Sequence, residues 1–206
     1  MSSDLNLCAV ILAAGFSSRM GRDKALLPWP PGSTDTTLLS AAIAALKPFA
    51  QSVIVVSGNN TQSLTPIAAA QGAELVCNPD PERGQFSSLQ IGLRAAIDRG
   101  HIAALITPVD CPPLSHASLQ SLCAFFEQAV AHGAWAVAPE HSGRHGHPLI
   151  AGHPLIEAFL NAPVTSNARE VKRPHLDKFS YLAVSDPFLT IDLNTPEEYE
   201  GAARRP

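Results

Sequence analysis

Three cations and two glycines crowd one short stretch of the chain, Ala13-Ala14-Gly15-Phe16-Ser17-Ser18-Arg19-Met20-Gly21-Arg22-Asp23-Lys24. Glycine lets backbone N–H groups come close to a ligand, and Arg and Lys bring charge to phosphate oxygens. The stretch is not a P-loop, because the second glycine of that motif would fall on Met20. It is not G-x-G-x-x-G either, since Ser17 stands at the second glycine position. A second stretch, Thr107-Pro108-Val109-Asp110-Cys111-Pro112-Pro113-Leu114, sets one carboxylate after an apolar run and fixes it with prolines. A carboxylate there needs solvent, hydrogen bonds or a metal, and Mg²⁺ takes few carboxylates with substrate phosphates completing its shell. Further on, Ile191-Asp192-Leu193-Asn194-Thr195-Pro196 alternates two oxygen-bearing side chains with apolar ones. Together these suit phosphate chemistry assisted by cations. No nucleophile–base pair is visible.

Two other stretches are ambiguous on residues alone. In Asn78-Pro79-Asp80-Pro81-Glu82-Arg83-Gly84-Gln85-Phe86-Ser87-Ser88-Leu89, Gly84 and the helix start suit a polar ligand edge, but a serine there is also an ordinary helix cap. His141, His145, His147 and His153 lie within thirteen residues. With no H-x-x-x-H on a clear helix and no paired cysteines, ligand contact by His147 or loop structure is favoured over zinc.

The elements that must position these groups alternate along the chain. Leu7–Ala13, Ser52–Val56, Glu74–Cys77, Ile102–Thr107 and Trp135–Ala138 are short apolar runs, the pattern of strands buried on both faces. Between them the periodicity predicts helices over Leu38–Phe49 (capped by Thr36 or Thr37), Gln62–Gln71, Ser87–Arg99 and Leu119–His132. A short helix near Leu155–Leu160 and an extended Phe188–Asp192 are expected beyond Pro139. Strand–helix alternation implies a mostly parallel sheet covered on both faces, with ligands outside the carboxyl ends of the strands. That rule selects the segments after Ala13, Cys77 and Thr107.

Composition narrows the class. With 206 residues, 46% hydrophobic and 16% charged, the chain suits one domain, residues 1–206, with a large core. Pro and Gly together are 31 residues, too few for a low-complexity chain. A net charge of −4 without a basic stripe speaks against nucleic acid as partner. No apolar run is long enough for a membrane helix, and Met1-Ser2-Ser3-Asp4 is no signal-peptide start. The four separated cysteines form no C-x-x-C pair, so a soluble cytoplasmic protein with reduced thiols is expected.

Taken in order, the motifs resemble those of the MobA-like NTP transferase family, in particular its molybdenum cofactor cytidylyltransferase branch. LAAGFSSRMGRDKALLP is similar to that family's opening L-A-A-G-x-S-x-R-M-G-x-x-K-x-L-L, RGQFSSLQIGL to G-x-x-S-S-L-x-x-G-L, and TPVDCPPL to the D-x-P metal loop. GHPLI and IDLNTPEEY are similar to its closing segments, so the likeness runs from residue 8 to 199. The resemblance implies a single Rossmann-like three-layer α/β/α domain of the nucleotide-diphospho-sugar transferase kind. It implies transfer of CMP from CTP to the phosphate of molybdopterin, release of pyrophosphate, and dependence on Mg²⁺. By it, Gly15, Ser17, Arg19 and Lys24 hold the triphosphate, and Ala13, Ala14, Ser87 and Ser88 line the base pocket, with Gly84 and His147 as further contacts. Asp110 and Asp192 hold the metal, with Arg19, Lys24 and Asp110 catalytic. Ala14 stands where guanylyl-transferring relatives carry glycine, which implies a preference for CTP over GTP. A molybdenum hydroxylase is the implied protein partner. Two features depart from the family: Thr165-Ser166-Asn167-Ala168-Arg169-Glu170 replaces a G-D-x-G-A-R segment, and Asn194 replaces an Asp. Other readings are an acceptor that is a sugar or polyol phosphate, a non-catalytic molybdopterin-binding accessory protein, and a dinucleotide-binding Rossmann protein.

Overall fold

A computed structural model describes residues 6–202; the first four residues, on which the leader expectation rests, lie outside that range. Eight strands form one sheet: β1 (Leu7–Leu12), β2 (Ser52–Ser57), β3 (Glu74–Cys77), β4 (Ala103–Pro108), β5 (Ala136–His141), β6 (Arg144–His145), β7 (Leu149–Gly152) and β8 (Phe179–Ala183). Their spatial order is β3-β2-β1-β4-β7-β5-β6, with β8 also on β5. The β1–β2, β1–β4, β2–β3 and β5–β8 pairs are parallel, while β7 runs antiparallel to β4 and β5. The helices are α1 (Leu38–Leu46), α2 (Thr61–Ala70), α3 (Gln85–Asp98), α4 (His116–Ala131), α5 (His153–Asn161), α6 (Ala168–Lys172) and α7 (Pro196–Ala202).

The period-two geometry of β1 explains the three layers. Leu7, Ala9 and Ile11 enter one core with α1, Leu64 of α2 and Leu119, Leu122 and Phe126 of α4. Cys8, Val10 and Leu12 enter the other, with Leu89, Leu93 and Ala96 of α3 and Leu155, Ile156 and Phe159 of α5. Every residue of β1 and β4 is buried, which is why both read as unbroken apolar runs. The connection after β1 returns on one side of the strand and the chain after β4 departs on the other. A crevice therefore opens between their carboxyl ends.

Most expected elements occur within two or three residues of their sequence bounds. Thr37 caps α1, its side chain accepting from Ser40 N at 3.1 Å. The expected extended run over Phe188–Asp192 is instead a turn. Leu189 N donates to Asp186 O at 3.2 Å and Ile191 N to Phe188 O at 3.2 Å. Asp186 organises it, accepting from Phe188 N, Ser115 N and the Ser118 hydroxyl. A third core of Met20, Leu27, Trp29, Leu38, Ile191, Leu193 and Tyr199 then fastens the C-terminal segment to the loop after β1. Tyr199 Oη completes the clasp by donating to Pro28 O at 2.6 Å.

Candidate active site

The crevice at the ends of β1 and β4 holds a cavity of about 190 Å³. Leu12 to Ser17, Asp23, Lys24, Pro81, Gly84, Gln85, Ser88, Val109 and Asp110 line it. Its floor is the loop after β1, and that loop is wound on Ser17. This serine takes the left-handed conformation, φ 50°, and its carbonyl accepts from Met20 N and Gly21 N at 3.0 and 3.2 Å. A non-glycine residue adopts that conformation only where its surroundings enforce it; here Ser17 Oγ also accepts from Lys24 N at 3.1 Å. Asn60, at the start of α2, braces the loop from behind by donating to Ala13 O at 2.9 Å and to Asp23 Oδ2 at 2.7 Å. Asp23 in turn caps the short turn Lys24–Leu26. The outcome of these bonds is the position of Lys24.

Lys24 is the electrostatic centre of the site. Its side chain is only 11% exposed, and Nζ lies 2.9 Å from Asp110 Oδ2 and 2.9 Å from Asn194 Oδ1. Arg19 donates to the same Asn194 oxygen at 3.1 Å. Residues separated by up to 175 positions therefore meet at one point. The backbone joins them as well, since Leu193 N donates to Asp110 O at 2.9 Å. Buried Leu193 points into the third core, which turns its neighbours Asp192 and Asn194 toward the cleft edge. Asp192 lies beside the same strand end but has another contact: its Oδ1 accepts from the Cys111 thiol at 3.2 Å. Burial, with Asp110 and then Asp192 adding to it, drives the Cys111 thiol well above its usual range, so it is a neutral donor.

Sequence reasoning treated Ser87 and Ser88 as a pair. Neither caps α3; the cap position is Gly84, whose φ of +90° is open to glycine and costly for other residues. Both hydroxyls accept from the buried amide of Asn78, at 2.9 Å each, and Ser87 also donates to Gly84 O at 2.8 Å. Ser88 lines the cavity, whereas Ser87 is buried behind it and braces the Gly84 turn.

Of the residues singled out in the sequence, Ala13, Ala14, Gly15, Ser17, Lys24, Gly84, Ser88 and Asp110 face one cavity. Arg19 and Asp192 stand at its edge through Asn194 and Cys111. His147 does not line it. That side chain is half-buried, with Nδ1 3.4 Å from Ile106 O of β4, and burial lowers its pKa. The other clustered histidines disperse: His141 contacts Val184 O, His145 stacks on Tyr181, and His153 faces Glu157. Among the described residues no three His, Cys, Asp or Glu side chains converge as a metal-binding group. Asn60, Asn78 and Asn194 are the functional groups that motif reading underrated. A signal was present for Asn78, a polar residue directly after a strand and before proline; for Asn60 there was only a turn cluster.

A three-layer α/β fold with a cation-lined cleft at the strand ends defines a nucleotidyltransferase of the nucleotide-diphospho-sugar transferase fold. Solved structures of that fold superpose over nearly the whole chain. Rv0371c from Mycobacterium tuberculosis aligns with a TM-score of 0.77 at 23% identity, covering 98% of both chains; another structure of it is described as a complex with manganese. A nucleotidyl transferase from Methanothermobacter aligns with a TM-score of 0.75 at 23% identity, over 95% of this chain and 94% of that one. The chain belongs to the MobA-like NTP transferase family, whose model matches residues 9–179. It is 27% identical to the molybdenum cofactor cytidylyltransferase of Escherichia coli, over 95% of each chain. It is 30% identical to the molybdenum cofactor guanylyltransferase of Rhizobium meliloti, over 94% of this chain and 89% of the relative.

Proposed function

We propose that this protein transfers CMP from CTP to the phosphate of molybdopterin and releases pyrophosphate. The observation that carries this reading is the meeting of Lys24, Arg19, Asp110 and Asn194 on the floor of a cleft lined by the Ala13–Ser17 loop. An acceptor phosphate oxygen attacks the α-phosphorus while the bond to the pyrophosphate oxygen breaks. Negative charge builds on the leaving group, and the enzyme needs fixed cations rather than a covalent nucleophile. Backbone N–H groups of the Gly15–Ser17 turn hold the phosphates, and Arg19 and Lys24 neutralise them.

The oxygen set suits a divalent cation. Asp110 Oδ2 and Asn194 Oδ1 already converge on a positive charge, the Lys24 ammonium, and Asp192 lies beside them. Mg²⁺ bound there by Asp110 and Asp192 would supply charge neutralisation at the phosphates, whose oxygens would complete its shell. Lys24 would then turn from Asp110 to the nucleotide, so metal and CTP should bind together.

Ala14 supports cytosine over guanine. Its methyl lies on the cavity wall, and the loop behind it cannot recede: a Cβ on Gly58 would already stand 2.9 Å from Ala14 O. The fixed methyl narrows the space for a base. A molybdenum hydroxylase is the protein that would receive the product. Pyrophosphate release from CTP and from GTP, with molybdopterin or with sugar and polyol phosphates, tests the reading. Release that requires molybdopterin and CTP is the expected result. Faster release from GTP reverses the base assignment, a sugar or polyol phosphate that substitutes reverses the acceptor, and no release with any pair leaves a binding protein.

A further inference from the structure

A second cavity, larger than the first at about 630 Å³, opens over the other half of the sheet. It is walled by β5–β7 on one side and by α6 with the turn that follows it on the other. Its lining has two unlike parts. One is cationic: Arg169, Lys172 and Arg173, from a single turn and a half of chain. The other is flat: His145 stacks on Tyr181 with ring centroids 3.9 Å apart and planes 7° from parallel, and Phe179 lies 6.5 Å further along.

The three cations have no ion-pair partner among the described residues. The one acid on α6, Glu170, is spent on the helix start, where it accepts from Asn167 N. Lys172 is half-buried, and burial pushes its ammonium below its usual range. A chain that keeps three unpaired cations around a cavity, one of them desolvated, suits an anionic occupant. A stacked His–Tyr pair on the same wall suits a planar ring. The cavity also adjoins the cleft. His147 lines it, contacts Ile106 on the strand that leads to Asp110, and responds to the charges of Lys172, Asp192 and Asp110.

We propose that this cavity is the acceptor site, seating a planar nitrogen heterocycle against His145 and Tyr181 and its anionic group on Arg169, Lys172 and Arg173. The proposal rests on the nucleotidyl-transfer reading for its role in catalysis, but binding tests it separately. The probe is neopterin 3′-monophosphate, a fluorescent phosphorylated pterin, titrated into the full chain with and without saturating Mg·CTP. The pterin phosphate should bind in both conditions. Lys172→Met and Arg173→Ala should each weaken it about tenfold, as expected for charge-assisted contacts, and leave CTP affinity within twofold. His145→Ala should weaken the pterin phosphate fivefold or more yet leave binding of inorganic phosphate unchanged. Thermal melts show which variants remain folded, and Arg169→Gln gives the same test if Lys172→Met does not. Displacement of the pterin phosphate by CTP, or wild-type affinity in folded Lys172 and Arg173 variants, overturns the proposal. Absence of CTP binding in the wild-type chain would instead remove the transfer reaction and leave the cavity assignment standing on the pterin titration.

Discussion

At the scale of single residues, the site is a set of charges that only makes sense together. Arg19 and Lys24 share one acceptor, Asn194 Oδ1, and Lys24 also holds Asp110. Arg19 sits at the cleft edge with its role confined to ligand charge, so Arg19→Ala should cut kcat/KM for CTP about tenfold or more and leave the melting temperature nearly unchanged. Steady-state pyrophosphate release on a folded variant checks this; unaltered kinetics would remove Arg19 from the phosphate site. Asp110→Asn keeps shape and an oxygen for Lys24 but loses the charge that holds a metal. Turnover should vanish while the circular dichroism spectrum persists. Asp192→Asn should cost less, because Asn194 offers a second oxygen at the same edge. Equal losses in the two variants would put Asp192 on the metal as firmly as Asp110. Ala14→Gly should move the CTP-to-GTP ratio toward GTP by between 10-fold and 200-fold, the range for one steric contact at a binding pocket.

At the scale of elements, α3 joins the cleft to the core. Its first turn carries Ser87 and Ser88, and further along Gly92 lies against β1 and β2. A Cβ on Gly92 would stand 2.5 Å from Val10 Cγ1 and 2.8 Å from Val56 Cγ2, and both are core side chains with no room to withdraw. Gly92→Ala should improve helix propensity by up to about 1 kcal/mol, yet the overpacking costs about 1–3 kcal/mol and wins. A melting temperature lower by several degrees is expected; an unchanged or higher one would mean that α3 can slide outward at no cost. The same packing explains why a helix that is polar at its start and apolar along one face sits where it does. Between β3 and β4 it must cover Val10, Ile54 and Val56 while its N-terminus stays at the carboxyl edge of the sheet.

At the scale of the whole molecule, the sheet has a wet, charged edge and a tightly bonded opposite edge. At the latter, buried His101 lies 2.8 Å from Ser52 Oγ through Nε2 and 2.6 Å from Asn6 Oδ1 through Nδ1, tying the starts of β1, β2 and β4 together. Burial, then the charge of Arg99, lowers the pKa of His101; burial also lowers that of His147. Below the unfolded value of about 6.5 the unfolded chain binds protons that the folded chain refuses. Stability is therefore full above that pH and falls as pH drops through it. The melting temperature should decrease between pH 7.5 and 5.5, and His101→Gln should flatten part of the slope. A melting temperature that holds or rises on acidification would show both imidazoles charged in the folded state. Among the described residues no helix is long and apolar enough to cross a membrane.

The order of strands and helices was legible because each apolar run and each amphipathic stretch is a local property of consecutive residues. The loop after β1, Asp110 after β4 and Gly84 before α3 could be found for the same reason: each follows a strand directly, and the carboxyl ends of strands are where such sheets bind ligands. The sequence alone also shows too few cations for nucleic acid and no motif for a covalent nucleophile. Only the folded chain could decide the rest. The antiparallel β7 depends on pairing with β4 and β5, far away in sequence, and the Phe188–Asp192 turn depends on what Asp186 can reach. Asn194 became a centre of the site because Leu193 is drawn into a core shared with Met20 and Trp29. The separation of Ser87 from Ser88, and the gathering of three cations and two stacked rings around one cavity, follow from side-chain direction in three dimensions. Periodicity and spacing along a chain set which residues can form an element; contacts between elements set which of those residues meet.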